Sequence, residues 1–216
     1  MSSVRRSPVA RATVAAVIAC CLALAGCSGS STDSDPRPTA APSETADTGT
    51  RLEDVDTTAL VVPRAPFCDR VDPAAVTRAL GEEAADVSAY RSGQRIKISD
   101  DVADVVHEFG CHWTAADGTA EAWVFAPPVT RKRAAALAAD VKGLSECLDF
   151  LGPDFGRPSA SCASASEDAY AVRYQGLFGD AWLTCSLTLS KPTRVKMDER
   201  ASQWCAAVAT GAATDG

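Results

Sequence analysis

Six cysteines constrain what this chain can fold into more than any other feature. Cys68, Cys111, Cys147, Cys162, Cys185 and Cys205 all lie in its last 150 or so residues, no two closer than fifteen positions. Structural zinc sites take at least two ligands from within a few residues of each other, so this spacing argues against a metal. An even number of spread cysteines in an exported chain implies a disulfide framework instead. Six cysteines allow 15 connectivities, so the pairing has to be read from the elements that carry them.

Export is read from the N-terminus. Arg5, Arg6 and Arg11 precede an apolar run from Ala12 to Leu22, and Leu24-Ala25-Gly26-Cys27 follows. A basic head, a short apolar segment and small residues before a cleavage point describe an export signal. The run is short for a membrane-spanning helix. With Cys directly after Leu-Ala-Gly, the segment resembles a bacterial lipoprotein signal. In that family the Cys sulfur takes a diacylglycerol, cleavage falls just before it, and the new amino group can be acylated. The resemblance implies that residues 1–26 are removed with Cys20 and Cys21, and that Cys27 anchors the protein to the membrane.

The whole chain has 216 residues and a net charge of -7, and its first 26 residues hold three arginines and no acid. The mature chain is therefore more acidic still. This argues against nucleic acid, which needs a basic face to displace counterions. It also argues against general adhesion to anionic lipid, so attachment rests on the lipid at Cys27. Residues 27–66 are rich in Ser, Thr, Asp, Pro and Ala and read as a disordered tether, with a reach of roughly 35 Å. The folded domain is expected over residues 67–210, with 211–216 as a tail.

Within that domain Asp72-Pro73 opens a helix and Gly81 ends it, with Val76, Ala79 and Leu80 buried. Residues 84–99 hold one or two strands broken at Ser92-Gly93. From Val105 to Thr114 the pattern alternates, putting Val105, His107, Phe109, Cys111 and Trp113 on one face. Asp117-Gly118 signals a hairpin turn. A turn there pairs Trp113 with Ala122 and Cys111 with Val124, and on the other face His112 with Trp123 and Gly110 with Phe125. A long helix from Thr130 to about Leu148 follows, carrying Ala134, Leu137, Val141, Leu144 and Leu148, and Gly152-Pro153 ends it. Residues 168–189 form a second hairpin turning at Gly179-Asp180. Val172 and Tyr174 pair with Leu187 and Cys185, while Arg173, Gln175, Thr184, Ser186 and Thr188 make the other face polar. A last helix after Pro192-Thr193 buries Met197, Ala201, Trp204, Cys205 and Val208.

This order predicts an α+β fold, an antiparallel sheet of two hairpins packed with three helices and stapled by disulfides. Cys185 faces the helix that carries Cys205. Cys68, before the first helix, reaches Cys111 on the first hairpin. Cys147 and Cys162 remain, bracketing the loop after the long helix.

Phe67-Cys68-Asp69-Arg70-Val71-Asp72-Pro73-Ala74-Ala75-Val76, then Ala79-Leu80-Gly81 and Gly110-Cys111-His112-Trp113, resemble a group of actinobacterial cell-envelope lipoproteins. The layout is similar to the extracellular sensor domains of actinobacterial serine/threonine kinases. The resemblance implies location and fold and carries no catalytic motif.

Chemistry is sparse. His107-Glu108-Phe109-Gly110-Cys111-His112 is one residue too long for the zinc-binding HExxH, and on a strand its histidines point to opposite faces. There is no nucleophile elbow and no phosphate-binding glycine loop. Glu82-Glu83 and Asp100-Asp101 read as solvated surface. No cofactor and no metal are expected. The candidate binding residues are Trp123, Phe125 and His112 on the first hairpin, Trp182 at the tip of the second, and Arg131, Lys132 and Arg133. Those three cations begin a helix, where the dipole disfavours them. The expectation is a non-enzymatic domain that binds an envelope ligand or protein. An envelope hydrolase or its accessory, and a purely structural envelope protein, are the alternatives. Cys27→Ala is expected to leave the signal uncleaved or to release the protein from membranes, as read by fractionation. Normal processing with membrane retention would contradict the lipid anchor.

Overall fold

The computed structural model describes residues 49–97, 103–148, 150–190, 192 and 194–214. Cys27, the signal segment and Asp100-Asp101 lie outside the described residues. Two 3-10 turns, Leu52–Asp54 and Cys68–Arg70, precede helix α1, Pro73–Leu80. Strands β1 (Asp86–Tyr90), β2 (Arg95–Lys97), β3 (Ala103–Val105), β4 (Glu108–Ala115) and β5 (Gly118–Phe125) follow. Then come α2 (Arg131–Lys142), β6 (Ser159–Ala165), β7 (Ala169–Phe178), β8 (Ala181–Ser190) and α3 (Arg194–Ala212).

Six strands form one antiparallel sheet in the order β1-β4-β5-β8-β7-β6, and β2 and β3 form a separate ribbon. The β5–β8 pairing welds the two hairpins together. Alternation then gives the sheet two faces. On the first, Cys111 and Trp113 of β4, Ala120, Ala122 and Val124 of β5, and Leu183, Cys185 and Leu187 of β8 are buried against α1 and α3. Trp204 of α3 packs edge-on to Trp113, with ring centres 5.2 Å apart, and its Nε1 donates to the Ser186 carbonyl at 3.0 Å. On the second face, Ala134, Ala138 and Val141 of α2 pack on Trp182, Leu177 and Ala160.

The helix ends follow local chemistry. The Asp72 side chain accepts from the Ala74 amide, and Gly81 closes α1 at φ 87°. Thr130 caps α2 by accepting from the Arg133 amide at 3.2 Å.

Cys68 is bonded to Cys111, Cys147 to Cys162, and Cys185 to Cys205, the same pairs that the layout of elements implied. Such bridges suit an oxidising, extracytoplasmic compartment. Among the described residues no helix is long and apolar enough to cross a membrane.

The second hairpin has the expected register, Val172 on Leu187 and Tyr174 on Cys185. The first differs. Its turn is Ala116-Asp117, and Trp113 pairs with Ala120, Cys111 with Ala122, His112 with Glu121 and Gly110 with Trp123. Gly118 lies inside the strand because a Cβ there would come 2.5 Å from both Leu189 Cδ2 and the Thr188 carbonyl. The glycine serves the approach of β5 to β8, not the turn. The shift is two residues, so every side chain keeps its face.

Val105 belongs to the β2–β3 ribbon and His107 is an exposed link, so neither extends β4. Helix α2 stops at Lys142 rather than near Leu148. Beyond Gly143 the Cys147–Cys162 bridge and a Leu148–Ala163 backbone pairing draw the chain onto the sheet edge, leaving Leu144 and Leu148 41 % exposed. Strand β6, Ser-Ala-Ser-Cys-Ala-Ser-Ala, has no counterpart in the sequence pattern, because small residues carry little β signal.

The domain is also longer than residues 67–210. Leu52 and Val62 are buried in the main core, and the Leu52 amide donates to Ser202 Oγ at 2.9 Å. At the other end Ala212 is fully buried, and Thr214 pairs with Val61. The apolar residues Leu52, Leu60 and Val62 supply the surface that a disordered tether lacks, so from about Arg51 the chain is folded.

One row across the first face reads Cys111, Ala122, Cys185, Tyr174. Fully buried Ala122 thus separates two disulfides. Ala122→Leu is expected to cost about 2–3 kcal/mol by overpacking this row. A lowered thermal midpoint with all three bridges intact is the predicted readout, and an unchanged midpoint would contradict it.

Candidate functional site

The second face of the sheet is the place to look, because one helix cannot cover six strands. Helix α2 lies over β6 and the adjoining part of β7, leaving polar side chains of β4, β5 and β7 and Thr188 of β8 at least partly exposed, while Thr184 and Ser186 of β8 are buried between them. Strand pairing sets them in rows. One reads Tyr90, Gly110, Trp123, Thr184, Gln175. The next reads Ser88, His112, Glu121, Ser186, Arg173, Cys162. Thr114, Thr119 and Thr188 stand in the third.

Where these rows run toward α2, they floor a cavity of about 180 Å³. Glu121, Arg173, Gln175, Ser186 and Thr188 contribute from the sheet, and Val141, Leu144 and Glu146 from the end of α2 and the turn after it. Cys162 also lines it, so the Cys147–Cys162 bridge pins that wall to the floor. Beside the cavity the Arg173 guanidinium lies over the Trp123 ring, 5.6 Å from its centre. This is cation–π geometry. His112 Nδ1 stands 3.4 Å from Glu121 Oε1. Thr184, between Trp123 and Gln175, is 1 % exposed, and its Oγ1 has no hydrogen-bond partner. A buried hydroxyl without a partner is uncommon in folded proteins.

Farther along, the Tyr90 ring fills the space above Gly110, where a Cβ would come 2.1 Å from its Cζ. Phe125 therefore does not pack there. The Tyr90 hydroxyl donates to Glu108 Oε1 at 3.0 Å. Burial, with Glu108 next to it, pushes the Tyr90 phenol well above its usual range. Burial also raises the Glu108 carboxyl, against the lowering effect of the Tyr90 hydrogen bond.

The expected site residues divide. Trp123 and His112 do stand on this face and are partly exposed. Phe125 is on the same strand but packs against the α2 cluster. Trp182 is not a surface contact: it is 1 % exposed beneath α2, because the hairpin tip that looked free is covered by that helix. Arg131, Lys132 and Arg133 are exposed at the start of α2. The cavity is at the other end of the twelve-residue helix, about 18 Å away. In the sequence Arg173, Gln175, Ser186 and Thr188 show only as a polar strand face. Nothing in the sequence set Glu121 beside Ser186, since that depends on β5 pairing with β8.

A larger cleft, about 600 Å³, lies between Arg51, the 150–153 loop and the start of α3. There Arg51 pairs with Glu53 and Arg194 Nε stands 3.8 Å from Asp198 Oδ2, while Asp198 Oδ1 is buried without a hydrogen-bond partner. The second-face cavity is set apart by a polar floor drawn from β5, β6, β7 and β8 and by the Trp123–Arg173 stack beside it, and it is the candidate site.

The raised Glu108 carboxyl has a pH consequence. A raised native value means that the folded state holds the proton more tightly than the unfolded chain. The stabilisation from that proton is present in acid and is lost as pH rises through the raised value. Glu108→Gln keeps an acceptor for Tyr90 and has no such loss. Its stability relative to the parent is expected to increase from about pH 4 to about pH 7, as read by urea unfolding. Parallel pH profiles for the two proteins would contradict this.

No family model matches the chain, and no curated protein matches it either.

Proposed function

We propose that this protein is an extracytoplasmic, lipid-anchored binding domain, held to the membrane at Cys27 and without catalytic activity of its own. The observation that carries the reading is the cavity beside Trp123, walled by the end of α2 with the turn after it and floored by polar side chains of the sheet. Ligand sites combine an enclosed surface with a few convergent polar groups, and Arg173, Gln175, Ser186 and Thr188 converge here. Three disulfides support an oxidising compartment, and Leu24-Ala25-Gly26-Cys27 supports attachment through lipid. The resemblance to envelope lipoproteins and kinase sensor domains agrees with a sensing or carrier role.

A second reading, hydrolysis, draws on Glu121 and Glu146, two carboxylates lining the same cavity. Turnover of the retained molecule would favour it over simple binding.

Native mass spectrometry of the full-length protein, purified from its own envelope, tests the proposal. A non-covalent small molecule is expected on the parent and at least tenfold depleted on Arg173→Ala. A bare mass for the folded parent would count against binding.

A further inference from the structure

The side chains flooring the cavity restrict what can enter. The Gln175 amide and the Ser186 and Thr188 hydroxyls can each both donate and accept. Arg173 only donates, and an ionised Glu121 only accepts. An anionic ligand would gain Arg173 but face Glu121 and Glu146 in the same small space. A cationic one would gain the carboxylates and face Arg173. An apolar one would strip water from these polar groups and give them no partner. Hydroxyl groups, each donor and acceptor at once, suit every member of the set.

The volume of about 180 Å³ has room for one sugar ring and is small for a peptide. Trp123 stands next to it, partly exposed, with Arg173 on its ring. A sugar stacking its weakly positive C–H face on that electron-rich ring takes the place of the Arg173 guanidinium and frees its N–H groups for sugar hydroxyls. From Arg173 the polar row continues through Ser186 and Glu121 to His112, across four strands and about 14 Å. That length accommodates more than one ring.

We infer that this site recognises a neutral saccharide, with one ring in the cavity on Gln175, Ser186 and Thr188 and the chain running past Trp123 toward His112. The inference rests on the binding reading above and narrows it to one class of ligand.

The test uses the full-length lipoprotein in a zwitterionic detergent free of sugar head groups. An array of neutral and uronic-acid oligosaccharides is screened, and the strongest binder is titrated by tryptophan emission. Trp113, Trp182 and Trp204 are buried, so a change in emission reports Trp123. A neutral oligosaccharide is expected to bind saturably, with at least a tenfold loss of affinity in both Arg173→Ala and Thr188→Val. Circular dichroism checks that each variant is folded. Binding that survives both substitutions would overturn the inference by placing the ligand elsewhere. A preference for uronic-acid chains would overturn the neutral class. If no array member binds while the protein from its own envelope retains another small molecule, the saccharide inference falls and the binding reading stands. If neither is found, both fall.

Discussion

The antiparallel pairing of β5 with β8 is the interaction on which the rest of the structure depends. Without it there are two separate hairpins, each with a half-covered face. With it, Ala120, Ala122 and Val124 sit beside Leu187, Cys185 and Leu183 at the centre of a six-stranded sheet, all fully buried. The same pairing has an opposite effect on the other face. There it sets Glu121 beside Ser186 and Trp123 beside Thr184, so core and candidate site are two sides of one set of backbone hydrogen bonds.

The disulfides attach peripheral segments to this sheet. Cys68 ties the N-terminal stretch to β4, Cys205 ties α3 to β8, and Cys147 ties the turn after α2 to β6. The loops they close span 43, 20 and 15 residues. Restricting such loops in the unfolded chain contributes roughly 3–4 kcal/mol each. For a domain of this size that is a large share of a total stability of roughly 5–15 kcal/mol. The smallest loop also fixes a wall of the cavity, so this bridge serves the site as well as the fold.

Geometry explains why a polar area stays open. Six strands spaced about 4.8 Å apart make a sheet roughly 24 Å wide. One helix covers about 10 Å of that. Two helices, α1 and α3, pack the first face, but only α2 packs the second. The uncovered strands there need side chains compatible with water, and Ser88, His112, Glu121, Arg173 and Thr188 meet that need. Trp123 is the exception. It stays partly exposed under Arg173 rather than joining the core, which is the physical reason to look for a ligand beside it.

Local signals in the sequence determined a good deal. The caps at Asp72, Gly81 and Thr130, the Gly179-Asp180 turn with its register, the α+β class and the three cysteine pairs all follow from side-chain chemistry acting within a few residues or along one periodic face. Of the site, Trp123 and His112 were legible because an aromatic and an imidazole stand out on an alternating strand. The remainder was settled only by tertiary contacts. Gly118 looked like a turn residue and is a packing residue, because its neighbour Leu189 comes from a strand seventy positions later. Trp182 looked exposed until α2 was laid over it. The residues of β6 are too small to signal a strand alone and become one by pairing with β7. The polar floor of the cavity came together in the same way, because hydrophobic periodicity tells a strand which face to bury and does not tell it which strand will lie alongside.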